Sequence, residues 1–81
     1  MSYQSKLIKQ YQADGWLVLK TIRLNLAGFP DLILLRDGEA VFVEVKEGGD
    51  TLKPLQKLRI DELRNKGFKA QCLHETKGII Y

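Results

Sequence analysis

The chain has 81 residues, the size of one domain with a modest core, so we expect a single domain over residues 1–81. An apolar fraction of 44% and a charged fraction of 28% are ordinary for a globular protein and exclude a disordered or fibrous chain. The formal charge of +3 is compatible with a phosphate-rich partner but favours one only slightly.

The cysteine content and the N-terminal residues indicate the compartment. Cys72 is the single cysteine, so it cannot form an intramolecular disulfide, and there is no CxxC metal spacing. The N-terminal residues are polar and lack an apolar signal core, and no stretch is long enough to span a bilayer. We therefore expect an intracellular protein that does not associate with a membrane.

The first predicted element is an amphipathic helix over residues 2–14. Ser2 is a candidate N-cap, and Gly15 ends the pattern. Gln4 falls on the apolar arc, so its side chain is expected to point inward. The apolar residues that recur at helical spacing are Tyr3, Leu7, Ile8 and Tyr11.

Three strands are predicted next. Residues 16–22 follow a glycine and are rich in large apolar and β-branched side chains, which is typical of a strand. After a loop, residues 30–36 and 40–46 form two more apolar runs. They are joined by a turn that contains Asp37-Gly38, and Asp-Gly between two such runs strongly predicts a β-hairpin.

A second helix follows a glycine-containing loop. It has Pro54 in its first turn and ends near Lys66, and Gln56 lies within its apolar face. Residues 69–73 and 78–81 are predicted to form short closing strands. The predicted order is αβββαβ with a further short strand, which is an α/β fold.

The predicted hairpin brings two acids together. A turn centred on the Asp-Gly pair places Leu32 opposite Val43 and, one rung further, Asp31 opposite Glu44. Directly opposite residues have Cβ atoms roughly 4.5–5.5 Å apart, so the two carboxylates would lie side by side on one face. The alternation of side chains along a strand puts Lys46 on that face as well.

Two facing carboxylates repel each other and are costly to desolvate, and a divalent cation would resolve that conflict. Carboxylate oxygens with several retained waters suit Mg²⁺, and Mn²⁺ accepts the same ligands. Metal-bound water has a lowered pKa, and a nearby lysine could orient or deprotonate it. The pattern therefore predicts phosphodiester hydrolysis. The plainer alternative is that Glu44 and Lys46 are an ordinary solvated pair and that Asp31 merely begins its strand.

Three segments together resemble the PD-(D/E)xK nuclease superfamily, and more closely its VRR-NUC branch, the virus-type replication and repair nucleases. The likeness covers nearly the whole chain and keeps the branch's order of elements. It implies a restriction-endonuclease-like αβββαβ core with a central mixed sheet flanked by helices, and an Mg²⁺- or Mn²⁺-dependent deoxyribonuclease. The segments are Gly28-Phe29-Pro30-Asp31 with the four residues that follow, Val43-Glu44-Val45-Lys46, and Leu55-Gln56 through Gly67.

The resemblance also implies roles for single residues. The metal would be bound by Asp31, Glu44 and the backbone carbonyl of Val45, and Lys46 would act on the attacking water. Gln56 would border the site from the second helix. In this branch the first helix usually supplies an acid, and the matching residue here is Gln4, whose amide carries no charge.

The resemblance further implies a homodimer that acts on branched DNA such as four-way junctions, in the cytoplasm of a bacterial host if the chain is phage-encoded. A two-fold axis would set two active sites against a two-fold junction. Lys53, Lys57 and Arg23 are candidate contacts to DNA phosphates. Two alternatives remain: a non-catalytic DNA-binding module on the same fold, which Gln4 supports, and a small interaction protein with a fortuitous motif.

Overall fold

The computed structural model describes all 81 residues as one five-stranded sheet with two helices. In chain order the elements are α1 Tyr3–Ala13, β1 Leu17–Lys20, β2 Leu32–Arg36, β3 Glu39–Lys46, α2 Pro54–Asn65, β4 Lys69–His74 and β5 Gly78–Ile79. The strands lie side by side in that order. Only β3 and β4 run parallel, so the sheet is mixed and the predicted α/β class is confirmed.

The β2–β3 hairpin has the predicted register. Leu32 pairs with Val43, and Arg36 pairs with Glu39 across a two-residue turn. Asp37 has a φ of 51° and Gly38 a φ of 75°, and two successive positive φ values are what a type I′ turn requires. The Asp-Gly turn therefore determines which residues of the two strands face each other.

The two helices cover opposite faces of the sheet. Leu32 belongs to the core cluster that includes Ile8 of α1, whereas Phe42 packs with Ile60 of α2. Successive residues of a strand point to opposite faces, so Glu44, two positions after Phe42, lies on the α2 face. Neither helix is long and apolar enough to cross a membrane.

Three of the predicted strands are shorter in the structure, where they cover Leu17–Lys20, Leu32–Arg36 and Gly78–Ile79. β1 ends at Lys20, after which the Thr21 amide donates to the Asp31 carbonyl at 2.9 Å and the Thr21 hydroxyl donates to the Pro30 carbonyl at 2.7 Å. The last strand, β5, ends at Ile79. Beyond it the Tyr81 hydroxyl donates to an Asp61 carboxylate oxygen of α2 at 2.5 Å, so this tail packs on the helix.

Candidate active site

Asp31 lies one position before β2, beside the end of β3. The hydroxyl and the amide of Thr21 donate to its carbonyl oxygen at 3.1 and 2.9 Å, which fixes its backbone. Its carboxylate oxygen Oδ2 accepts the backbone N–H of Val45 at 2.9 Å. The side chain therefore points across the open end of the hairpin.

The backbone of Val45 brings a second oxygen to the same place. In an extended strand the N–H and the C=O of one residue point to the same side. Because the Val45 N–H points to Asp31, its carbonyl is directed to that side too. The carbonyl of Lys46, the next residue along, instead accepts the Glu75 N–H on the opposite side at 3.0 Å.

Glu44 is a buried acid, with only 3% of its surface exposed. Its pKa is raised to about 7, first by burial and then by the negative charge of Asp31, whereas the positive charge of Lys46 works in the opposite direction. The two acids that the sequence placed opposite each other are therefore close enough to interact. Their roles as metal ligands stay a prediction.

Lys46 is also buried, and its ammonium lies between two carboxylates. Its Nζ is 3.3 Å from Oε2 of Glu44 and 3.5 Å from Oδ2 of Asp50. The positive charge of Lys46 lowers the pKa of Asp50. The sequence places Asp50 in a glycine-containing loop, where solvated acids are ordinary and a metal contact is the less favoured alternative. Nothing in the sequence signals that the loop folds back onto Lys46.

Gln4 lies near the same end of β3. It lines a cavity of about 280 Å³ together with Ser2, Val45, Glu47 and Asp50. Helix α1 therefore brings position 4 to the site from the opposite face of the sheet, and the role of Gln4 stays a prediction. A larger cavity of about 310 Å³ lies near the hairpin turn and has none of the predicted site residues in its lining.

The other predicted site residues lie on α2, at its start and in the β1–β2 loop. The Gln56 side-chain oxygen accepts the Lys53 backbone N–H at 3.0 Å, so it caps the first turn of α2. Lys53 is exposed and its Nζ is 3.7 Å from Oδ1 of Asp50. Lys57 and Arg23 are exposed, and their contacts with DNA stay predictions.

The residues at the site fit a divalent cation. No group of three or more His, Cys, Asp and Glu side chains is arranged to hold a metal, so the side-chain ligands would be Asp31 and Glu44. Together with the Val45 carbonyl they form an all-oxygen donor set, which suits a hard cation that keeps several waters. A cation would also offset the burial and the repulsion from Asp31 that together raise the pKa of the Glu44 carboxyl.

A mixed sheet between two helices, with two carboxylates and a lysine at the end of its central hairpin, defines the class of restriction-endonuclease-like α/β domains. The VRR-NUC domain family model matches residues 3–76, and the chain belongs to that family. A solved structure described as "VRR_NUC domain" is similar with a TM-score of 0.74 and 30% identity, over 85% of this chain and 76% of that one. Comparison with curated proteins gives no match. Family membership implies a nuclease-type function on DNA.

Proposed function

We propose that this chain is a metal-dependent endonuclease that hydrolyses phosphodiester bonds in branched DNA, four-way junctions included, and that it acts as a homodimer. The observation that carries the proposal is the buried Glu44 carboxylate, which interacts with Asp31 and lies 3.3 Å from the Lys46 ammonium. We place the reaction inside the cell, where a free buried thiol such as that of Cys72 is ordinary.

Each group at the site has a distinct task. Asp31, Glu44 and the carbonyl of Val45 would hold Mg²⁺ or Mn²⁺. Such a cation polarises the phosphate and lowers the pKa of a bound water, which makes a nucleophile near neutral pH. The Lys46 ammonium orients the attacking water and stabilises negative charge on the phosphate in the transition state.

Three exposed basic residues support a DNA substrate. Lys53 lies beside Asp50 at the start of α2, and Lys57 follows on the same helix, both exposed. Arg23 lies in the exposed β1–β2 loop. These three side chains would contact DNA phosphates and would contribute the part of DNA binding that is sequence-independent and sensitive to salt.

Exposed apolar side chains on β1 and the loop after it support the homodimer. Leu17 and Leu19 on this edge strand are 62% and 44% exposed, and Ile22 is 87% exposed. Leu24 and Leu26 of the same loop are also exposed. A second copy of the chain would cover this surface and would place two active sites about a two-fold axis. Light scattering should give a dimer for the wild type and a monomer for Ile22→Glu.

The second candidate is a DNA-binding module on the same fold that has lost catalysis. It is favoured by Gln4, which supplies an amide where the family usually has an acid, and by the use of Gln56 to cap α2. Calorimetric titration with Mn²⁺ separates the two. The nuclease should bind Mn²⁺ and lose affinity in Glu44→Gln, with Glu75→Gln as an exposed-acid control. Absence of Mn²⁺ binding by folded wild type, together with DNA binding, would favour the module.

A further inference from the structure

His74 is a buried polar residue that has no task in the proposed hydrolysis. It ends β4 and pairs with Lys46 in the parallel β3–β4 register, with 2% of its surface exposed. Its Nδ1 accepts the Thr76 backbone N–H at 3.2 Å. Because Nδ1 is therefore unprotonated, Nε2 carries the ring hydrogen, and Nε2 lies 2.7 Å from the Gly48 carbonyl oxygen. His74 thus donates a hydrogen bond to the loop after β3.

That loop carries Asp50. Gly48 has a φ of 57°, a left-handed conformation that glycine adopts without strain. The Asp50 amide then donates to the Glu47 carbonyl at 3.1 Å, which closes a tight turn. The turn returns the Asp50 carboxylate to Lys46, at 3.5 Å from Nζ. The position of Asp50 therefore depends on how the turn is held at Gly48.

Asp50 matters because Lys46 has a long, flexible side chain with only two charged partners. Glu44 holds the ammonium from the strand, and Asp50 holds it from the loop. If Asp50 moved away, the Lys46 ammonium would pair with Glu44 alone and would compete with a divalent metal ion for that carboxylate. With Asp50 in place, the ammonium is shared between two carboxylates at similar distances, 3.3 and 3.5 Å.

We propose that His74 is a positioning residue of this site, since its bond to Gly48 keeps Asp50 on Lys46 and thereby holds the Lys46 ammonium where the reaction needs it. This inference rests on the proposed nuclease function. The hydrogen bonds of His74 go to Gly48 and Thr76, so in this proposal it acts through the loop.

Four variants test the proposal. His74→Gln keeps an N–H donor at a similar distance from the backbone, whereas His74→Leu removes it. Asp50→Asn removes the loop charge, and Asp37→Asn removes a charge from the hairpin turn, where the side chain is 91% exposed. In a cleavage assay on a four-way junction with Mn²⁺, His74→Leu and Asp50→Asn should each lower kcat by about 10- to 100-fold with little change in KM. His74→Gln and Asp37→Asn should retain kcat within about threefold of the wild type, since neither breaks the proposed linkage.

The double variant His74→Leu with Asp50→Asn should be no slower than the slower single variant, because both changes break the same linkage. Amide hydrogen exchange gives a readout that does not depend on activity. The Asp50 amide should lose protection in His74→Leu and keep it in His74→Gln.

Four results would overturn the proposal: full kcat in His74→Leu, losses that multiply in the double variant, equal impairment in folded His74→Gln and His74→Leu, or unchanged Asp50 protection in His74→Leu. A folded, metal-loaded wild type that cuts no DNA would instead overturn the proposed function. In that case hydrogen exchange by itself would still decide whether His74 holds the loop.

Discussion

The Val45 amide donates a 2.9 Å hydrogen bond to the Asp31 carboxylate across the open end of the β2–β3 hairpin. This bond uses one of the two carboxylate oxygens and leaves the other for a cation. It also aims the Asp31 side chain at the part of β3 from which Glu44 and Lys46 project. Asp31 therefore has a structural task beside the metal-binding role proposed for it, and the two can be separated by substitution.

Asp31→Asn and Asp31→Ala should differ in stability but not in metal binding. Asparagine keeps an oxygen that accepts the Val45 N–H, so the free energy of unfolding of Asp31→Asn should stay close to that of the wild type. Alanine loses this bond and should lower the free energy of unfolding by about 1 kcal/mol. Both should weaken Mn²⁺ binding by about tenfold or more, because both lack the charge. Urea unfolding and calorimetry measure the two effects, and wild-type Mn²⁺ affinity in Asp31→Asn would contradict the assignment.

The burial of Glu44 should make metal-free stability depend on pH. Its pKa is raised from 4.5 to about 7 in the folded state, so between these values the native state binds more protons than the unfolded chain. The free energy of unfolding should therefore fall as the pH rises from 5 to 8, by an amount on the order of 3 kcal/mol. Glu44→Gln should lack this decrease. Urea unfolding in chelator measures the slope, and equal slopes in the two proteins would show that Glu44 is not responsible.

Mn²⁺ should restore much of the stability that the wild type loses at pH 8, because the cation compensates the Glu44 and Asp31 charges. The restoration should be smaller at pH 6, where a proton competes for Glu44. Glu44→Gln is the control at both pH values.

Replacement of Gln4 by Glu should strengthen metal binding. Gln4 shares a cavity with Val45, Glu47 and Asp50, so a carboxylate at this position would add negative charge at the site. We expect roughly tenfold tighter Mn²⁺ binding, since affinity for hard cations rises with ligand charge. Gln12→Glu adds the same charge at an exposed position of α1 and should leave the affinity unchanged. Equal affinities in both variants and the wild type would place position 4 outside the site.

Gly28 should tolerate a side chain much less well than Gly38. Both have positive φ, 77° and 75°, so alanine is strained at either position by roughly 1–2 kcal/mol. At Gly28 a Cβ would also lie 2.8 Å from Cγ of Leu55, whereas at Gly38 it would meet nothing within 4 Å. Gly28→Ala should therefore lower the free energy of unfolding by about 1–3 kcal/mol more than Gly38→Ala. If urea unfolding gave the same loss of unfolding free energy for both variants, α2 would have to move away from the added Cβ without cost.

The parts of the fold that follow from local signals could be predicted. The Asp37-Gly38 turn predicted the hairpin register, and the pairing of Leu32 with Val43 confirms it. Once that register is known, period-two alternation is enough to place Glu44 and Lys46 on one face. Strand ends were predicted less well, because contacts such as those of Thr21 with Asp31 join residues far apart in sequence.

The surroundings of the site depend on such long-range contacts and carry no local signal. His74 carries no sequence signal, since a single histidine at a strand end has no pattern to interpret, yet it bonds to Gly48, which is 26 positions away. The resemblance predicts that Gln56 borders the site, whereas its capping bond to the Lys53 backbone is seen only in the structure. Local patterns therefore predicted the central acids and the lysine, whereas the structure was needed for the groups that hold them.

The decisive experiment on nuclease activity is cleavage of labelled four-way junction, flap, single-stranded and duplex DNA with Mg²⁺ or Mn²⁺. The wild type should cut at least the branched substrates only when metal is present. Lys46→Ala should lower the rate by about 100-fold or more, and Lys9→Ala, which removes an exposed lysine of α1, should retain the wild-type rate. The nuclease assignment would be contradicted if folded Lys46→Ala cut DNA at the wild-type rate. It would also be contradicted if the folded, metal-loaded wild type left all four substrates intact.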